Sequence, residues 1–112
     1  MLGTDKRKNR RYPSIARAQS PEAFSGDALV KDISITGCRV ECTMRPEIGV
    51  GGTCRLNIVP EKNSGIGRFE LTAECKWIRV MDYSCDIGFS IVQSPKGRAF
   101  QRYVDYLSWR SQ

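Results

Sequence analysis

Between residues 69 and 77 every second side chain is apolar: Phe69, Leu71, Ala73, Cys75 and Trp77 alternate with Glu70, Thr72, Glu74 and Lys76. Successive side chains of a strand point to opposite faces, so this stretch can bury one face only as a β-strand. The same period returns in Cys38, Val40, Cys42 and Met44, in Cys54, Leu56 and Ile58, and in Cys85, Ile87, Phe89 and Ile91. A shorter run over residues 28–33 leads into a turn-like stretch at 34–37. Pro46, the glycines at 49, 51 and 52, and the polar loop at 60–67 separate the runs, which is the punctuation strands require. After residue 93 the period changes. Phe100, Tyr103, Val104 and Leu107 recur at helical spacing, Ser94 suits an N-cap and Pro95 the first helical position, predicting a helix over about 95–110. Five or six short antiparallel strands and one terminal helix imply an all-β fold, a small closed or nearly closed barrel, because closure removes exposed sheet edges.

At 112 residues the chain fits one domain. Hydrophobic residues make up 40% and charged residues 27%, which separates it from disordered and membrane chains. Residues 1–26 lack sustained apolar periodicity and read as a basic arm or extended loop, with the barrel and its helix occupying 27–112. In its first twenty residues Lys6, Arg7, Lys8, Arg10, Arg11 and Arg17 face only Asp5, so this segment carries +5 of the net +6. A concentrated cationic arm predicts a polyanionic partner. No apolar run approaches the roughly 20 residues that span a bilayer, and the basic N-terminal stretch lacks the apolar core of a signal peptide, so a cytoplasmic location without membrane insertion is expected.

Enzyme chemistry finds little purchase. There is no histidine, nucleophile elbow, Walker loop or HExxH pair, and neither catalysis nor a cofactor is expected. The five cysteines at 38, 42, 54, 75 and 85 are odd in number, sit in apparent strands and lack CxxC spacing. They read as reduced core residues, and no metal is expected.

Two local features remain: Arg7-x-x-x-Arg11 in the arm and Asp32-x-Ser34-x-x-Gly37 at the first strand turn. In order and spacing they resemble the signature of the PilZ family, RxxxR followed some twenty residues later by [DN]xSxxG, and the resemblance covers almost the whole chain. It implies a six-stranded antiparallel β-barrel of Greek-key, split-barrel type with a C-terminal α-helix. It further implies a cytoplasmic receptor for cyclic di-GMP that orders its arm over the ligand and relays the signal to a downstream protein in the control of motility or biofilm formation. By the same resemblance, Arg7 and Arg11 contact phosphate and guanine, and Asp32, Ser34 and Gly37 lie on the barrel exterior beneath the ligand.

The chemistry of these residues agrees. A guanidinium forks onto phosphate oxygens or onto guanine O6 and N7, which lysine cannot do. The Asp32 carboxylate can accept from guanine N1 and N2, and Gly37 permits close approach or a positive φ. Strand alternation places Asp32 and Ser34 on one face and Leu29, Ile33 and Ile35 on the other, inward side. Lys6-x-x-x-Arg10 overlaps the arginine motif, so Arg10 is a further candidate contact; Tyr12 after Arg11 favours the Arg7/Arg11 register. Trp77 shares parity with Phe69 and Cys75 and is assigned to core or barrel-rim packing rather than to the ligand. Simpler readings compete. An arginine-rich arm can be a solvated tail, and Asp32 and Ser34 can merely cap a turn. Two other functions fit such a barrel: a single-stranded nucleic-acid binder, against which the concentration of cations in the arm argues, and a PilZ-like adaptor that binds only protein.

Overall fold

The structure is a computed structural model of the chain and describes residues 10–93 and 97–112. Seven strands precede one helix: β1 Tyr12–Pro13, β2 Arg17–Gln19, β3 Asp27–Ile33, β4 Gly37–Cys42, β5 Thr53–Val59, β6 Phe69–Val80, β7 Cys85–Gln93 and α1 Ala99–Arg110. All pairings are antiparallel. The strand order β1-β3-β2-β5-β6-β7-β4 returns to its start because β4 also pairs with β3. Strands β2 to β7 thus close the expected six-stranded barrel, and β1 is an additional short strand on β3.

Alternation decides the core. Val30 and Ile33 of β3, Cys38 and Val40 of β4, Leu56 and Ile58 of β5, Leu71 and Cys75 of β6, and Ile87 of β7 are fully buried. The α1 helix adds Phe100, Tyr103, Val104 and Leu107 to this core, with the Phe100 and Tyr103 rings 5.6 and 6.0 Å from that of Phe69. Fully burying one such side chain contributes roughly 1.5–3 kcal/mol, so the apolar face of each strand outweighs any local propensity.

Four expectations need correction. The stretch expected as arm or loop over 1–26 contains β1 and β2, because Ser14, Ala16, Ala18 and Ser20 alternate inward and are buried. Backbone bonds from Ser14 N to Lys31 O and from Val30 N to Ala16 O continue the pairing with β3 between them. Small side chains give a weak hydrophobic signal, so the period was hidden in composition rather than absent. Second, Leu29 and Ile35 do not face inward; they are 38% and 40% exposed. For Leu29 the cause is the β3–β4 register shift between Val30 and Asp32, a bulge that takes up one residue and makes Ala28, Val30 and Ile33 the core positions, whereas Ile35 lies past the end of β3 in the turn. Third, α1 starts at Ala99 behind Arg98 as N-cap, later than the expected 95. Ser94 and Pro95 lie outside the described residues. Met44, expected to continue the β4 alternation, is 62% exposed beyond the end of that strand.

All five cysteines are free and buried. Burial pushes the Cys38 thiol from 9.0 up to about 12, and burial likewise raises Cys42, Cys54 and Cys75. The folded state therefore holds these protons more tightly than the unfolded chain. The stability this contributes is complete below about pH 9 and is lost as pH rises towards 12. At pH 8, a colorimetric disulfide reagent should find no rapidly reacting thiol in the native protein and five in urea; a fast native thiol would show that a strand opens locally.

Candidate functional site

On the barrel exterior, β1, β3, β4 and β7 lie side by side, and four charged side chains run across them in alternating sign. Arg11 Nη1, at the entrance to β1, donates to Asp32 Oδ1 of β3 at 3.0 Å. Arg39 of β4 brings its Nε to 3.0 Å from Asp32 Oδ2, without an aligned hydrogen bond, and its Nη1 to 3.9 Å from Asp86 Oδ2 of β7. Asp86 is only 3% exposed.

Local folding explains this order. Ser34 closes the β3–β4 turn: its backbone N donates to Gly37 O at 2.8 Å, and its Oγ accepts from the backbone N–H groups of Thr36 and Gly37 at 3.2 Å. The hydroxyl is thus engaged in the turn and the residue is 1% exposed, so Ser34 does not share the exterior face with Asp32 as alternation alone implied. It holds the turn that delivers Gly37. A side chain at position 37 has no room, since an added Cβ would stand 2.5 Å from Phe89 O and 3.3 Å from Arg11 Nη2. The missing side chain at Gly37 is what lets Arg11 lie across β4 towards Asp32.

Gly37→Ala should therefore destabilise the barrel by about 1–3 kcal/mol, because the first obstacle is backbone that cannot rotate aside. Urea unfolding measures this, and an unchanged midpoint would mean that β4 and β7 can separate at no cost.

Trp77 departs from its core-or-rim assignment. The β6–β7 register shifts between Cys75 and Trp77, and the indole, 41% exposed, lies outside the barrel. It packs on Gly88, where any Cβ would collide with its ring. Gly88 pairs with Arg39 on its other side, so Trp77 and Arg39 flank a position without a side chain. Arg10 stands 5.5 Å over the Tyr12 ring. Arg7 lies outside the described residues.

The structure thus brings together Arg11, Asp32 and Gly37 and sets Arg10 over the Tyr12 ring. Sequence reasoning missed Arg39 and Asp86. Arg39 was detectable as the next outward residue of β4 after Gly37, but its adjacency to Asp86 depends on strand pairing. A concavity of about 840 Å³ lies elsewhere and is lined by Glu22, Asp27, Glu70 and Arg55 among others. With three carboxylates against one guanidinium it has the wrong sign for a polyanion. The Arg11 face is open, with the Arg11 side chain 46% exposed.

A family model described as PilZ domain matches residues 5–108, nearly the whole chain. A search of curated proteins gave no match. Among the described residues no helix is long and apolar enough to cross a membrane, and no group of three or more potential metal ligands occurs.

Proposed function

Because the chain belongs to the PilZ domain family, we propose that it is a receptor for cyclic di-GMP, the ligand such domains generally bind, and that the bound ligand orders the N-terminal arm against the barrel. The observation that carries this is the Arg11–Asp32 pair laid over Gly37 at the root of the basic segment.

Charge explains why that segment takes part. Within the cluster Arg11 and Arg39 are balanced by Asp32 and Asp86. A ligand with two phosphodiesters meets no net positive charge there, so the attraction must come from Lys6, Arg7, Lys8 and Arg10. Arg11, with its side chain 46% exposed, is free to transfer its fork to a phosphate. That transfer releases Asp32 Oδ1 to accept from guanine N1 and N2. Arg7 and Arg10 supply the remaining phosphate and guanine contacts, Gly37 keeps the floor flat, and Ser34 acts through the turn. The exposed Trp77 indole offers a stacking surface for a base at the far end of the same face. The ordered arm then forms the surface that a downstream protein recognises. No catalytic step or cofactor enters this account.

Isothermal titration at physiological salt tests it, with cyclic di-GMP, GMP and a short RNA. Saturable heat selective for cyclic di-GMP supports the receptor. Salt-sensitive binding of RNA alone would replace it with a single-stranded nucleic-acid binder, and silence with all three would leave a protein-only adaptor.

A further inference from the structure

Arg39 and Asp86 fall outside both sequence motifs, and their geometry differs from that of the Arg11–Asp32 pair. Asp86 is almost completely buried, and its Oδ1 has no hydrogen-bond partner among the described residues. A buried carboxylate without a nearby cation is strongly unfavourable, and among the described residues the cation within 4.0 Å of Asp86 is Arg39. Arg39 cannot swing away without stranding that charge. Arg11 can leave, because the carboxylate it would abandon also touches Arg39. The two arginines therefore divide into one that moves and one that stays.

Resting on the cyclic di-GMP reading above, we propose that Arg39 is a specificity-determining contact that reads the O6/N7 edge of one guanine, and that Asp86 is the positioning residue that holds it there. The Arg39 side chain is 37% exposed, and its Nη1 stands 3.9 Å from Asp86 Oδ2, beyond hydrogen-bond reach, so the Nη1/Nη2 end of the guanidinium remains able to donate. Across Gly88 from Arg39 in the sheet stands Trp77, 41% exposed. A donor fork next to a flat aromatic platform fits a planar base that presents two adjacent acceptors. Guanine does so with O6 and N7, whereas adenine places an N6 amino donor beside N7 and turns a donor towards the fork. A guanidinium held fast by a buried charge can enforce that distinction, because it does not rotate to suit either base.

The test compares the wild-type protein with Arg39→Lys and Asp86→Asn in titrations with cyclic di-GMP, its 7-deazaguanine analogue and cyclic di-AMP. Arg39→Lys keeps a cation over Asp86 and loses only the fork, so the barrel should remain folded by its amide NMR spectrum. Wild-type protein should bind the 7-deaza analogue about tenfold more weakly than cyclic di-GMP, in line with the worth of a bidentate base contact. Arg39→Lys should bind cyclic di-GMP about tenfold more weakly and lose the penalty for the analogue. Asp86→Asn, which releases Arg39, should shrink that penalty too, a change that simple destabilisation would not produce. Retention of the full analogue penalty in Arg39→Lys, with wild-type protein still binding cyclic di-GMP, would overturn the role of Arg39 alone. Failure of wild-type protein to bind cyclic di-GMP would overturn the receptor and this contact together.

Discussion

Arg11→Ala should raise the dissociation constant for cyclic di-GMP by at least about a hundredfold and leave the barrel folded. The two effects separate because Arg11 does different work in the free and bound protein. In the free protein it forms a partly exposed ion pair with Asp32 at 3.0 Å, and such pairs contribute about 0–1 kcal/mol. In the proposed complex it would supply a charge-assisted fork to a phosphate, each such bond being worth about 1.5–3 kcal/mol, so two of them exceed the roughly 2.7 kcal/mol that a hundredfold change requires. Its removal also leaves Asp32 facing the ligand with one neutralising neighbour fewer. Calorimetry measures the affinity and urea unfolding the stability. An affinity within threefold of wild type would sink the assignment of Arg11, and an equal loss of stability would make it a structural residue.

The largest effect on stability should come from Tyr103→Ala, at about 3–5 kcal/mol, a large share of the roughly 5–15 kcal/mol that holds a domain together. Tyr103 is fully buried. It accepts from Ser14 Oγ and donates to Glu61 Oε1, both at 2.7 Å, while Glu61 Oε2 accepts from Arg110 Nη1 at 2.8 Å. Arg110 Nη2 in turn donates to Pro13 O at 3.2 Å. The ring fills the space between α1 and β6, and the hydroxyl joins α1 to the residues that follow Arg11. Tyr103→Phe separates the two contributions. It keeps the volume and leaves Ser14 and Glu61 short of a partner, at a cost of about 1–3 kcal/mol. Thermal unfolding of both variants checks the difference, and equal losses would place the whole effect in the hydroxyl network.

The strands β3 to β7 were legible because each carries alternating large apolar side chains whose burial dominates local choices. Leu29 was misplaced because one bulged residue at the start of the Asp32 motif reverses parity, and no side chain near Lys31 announces it; Ile35 was misplaced because β3 ends at Ile33 and the turn has begun. The strands at 12–13 and 17–19 escaped notice because they are two and three residues long and the buried side chains in and beside them, Ser14, Ala16, Ala18 and Ser20, are small. Within the candidate site, Arg11, Asp32 and Gly37 were singled out because their spacing matches a family signature. Ser34 was singled out for the same reason, and its hydroxyl serves the turn and not the open face.

The sequence by itself determined the strand-rich class, the terminal helix, the concentration of positive charge near one end and the residues of the two motifs, since all of these depend on local period or local composition. Only the tertiary structure decided that Arg39 and Asp86 join Arg11 and Asp32, that Trp77 lies outside on Gly88, and that Tyr103 fastens α1 to β1. These are contacts between residues far apart in the chain. Which side chains meet across strands depends on pairing register, and register depends on bulges and on closure of the whole barrel, neither of which a short window of sequence contains.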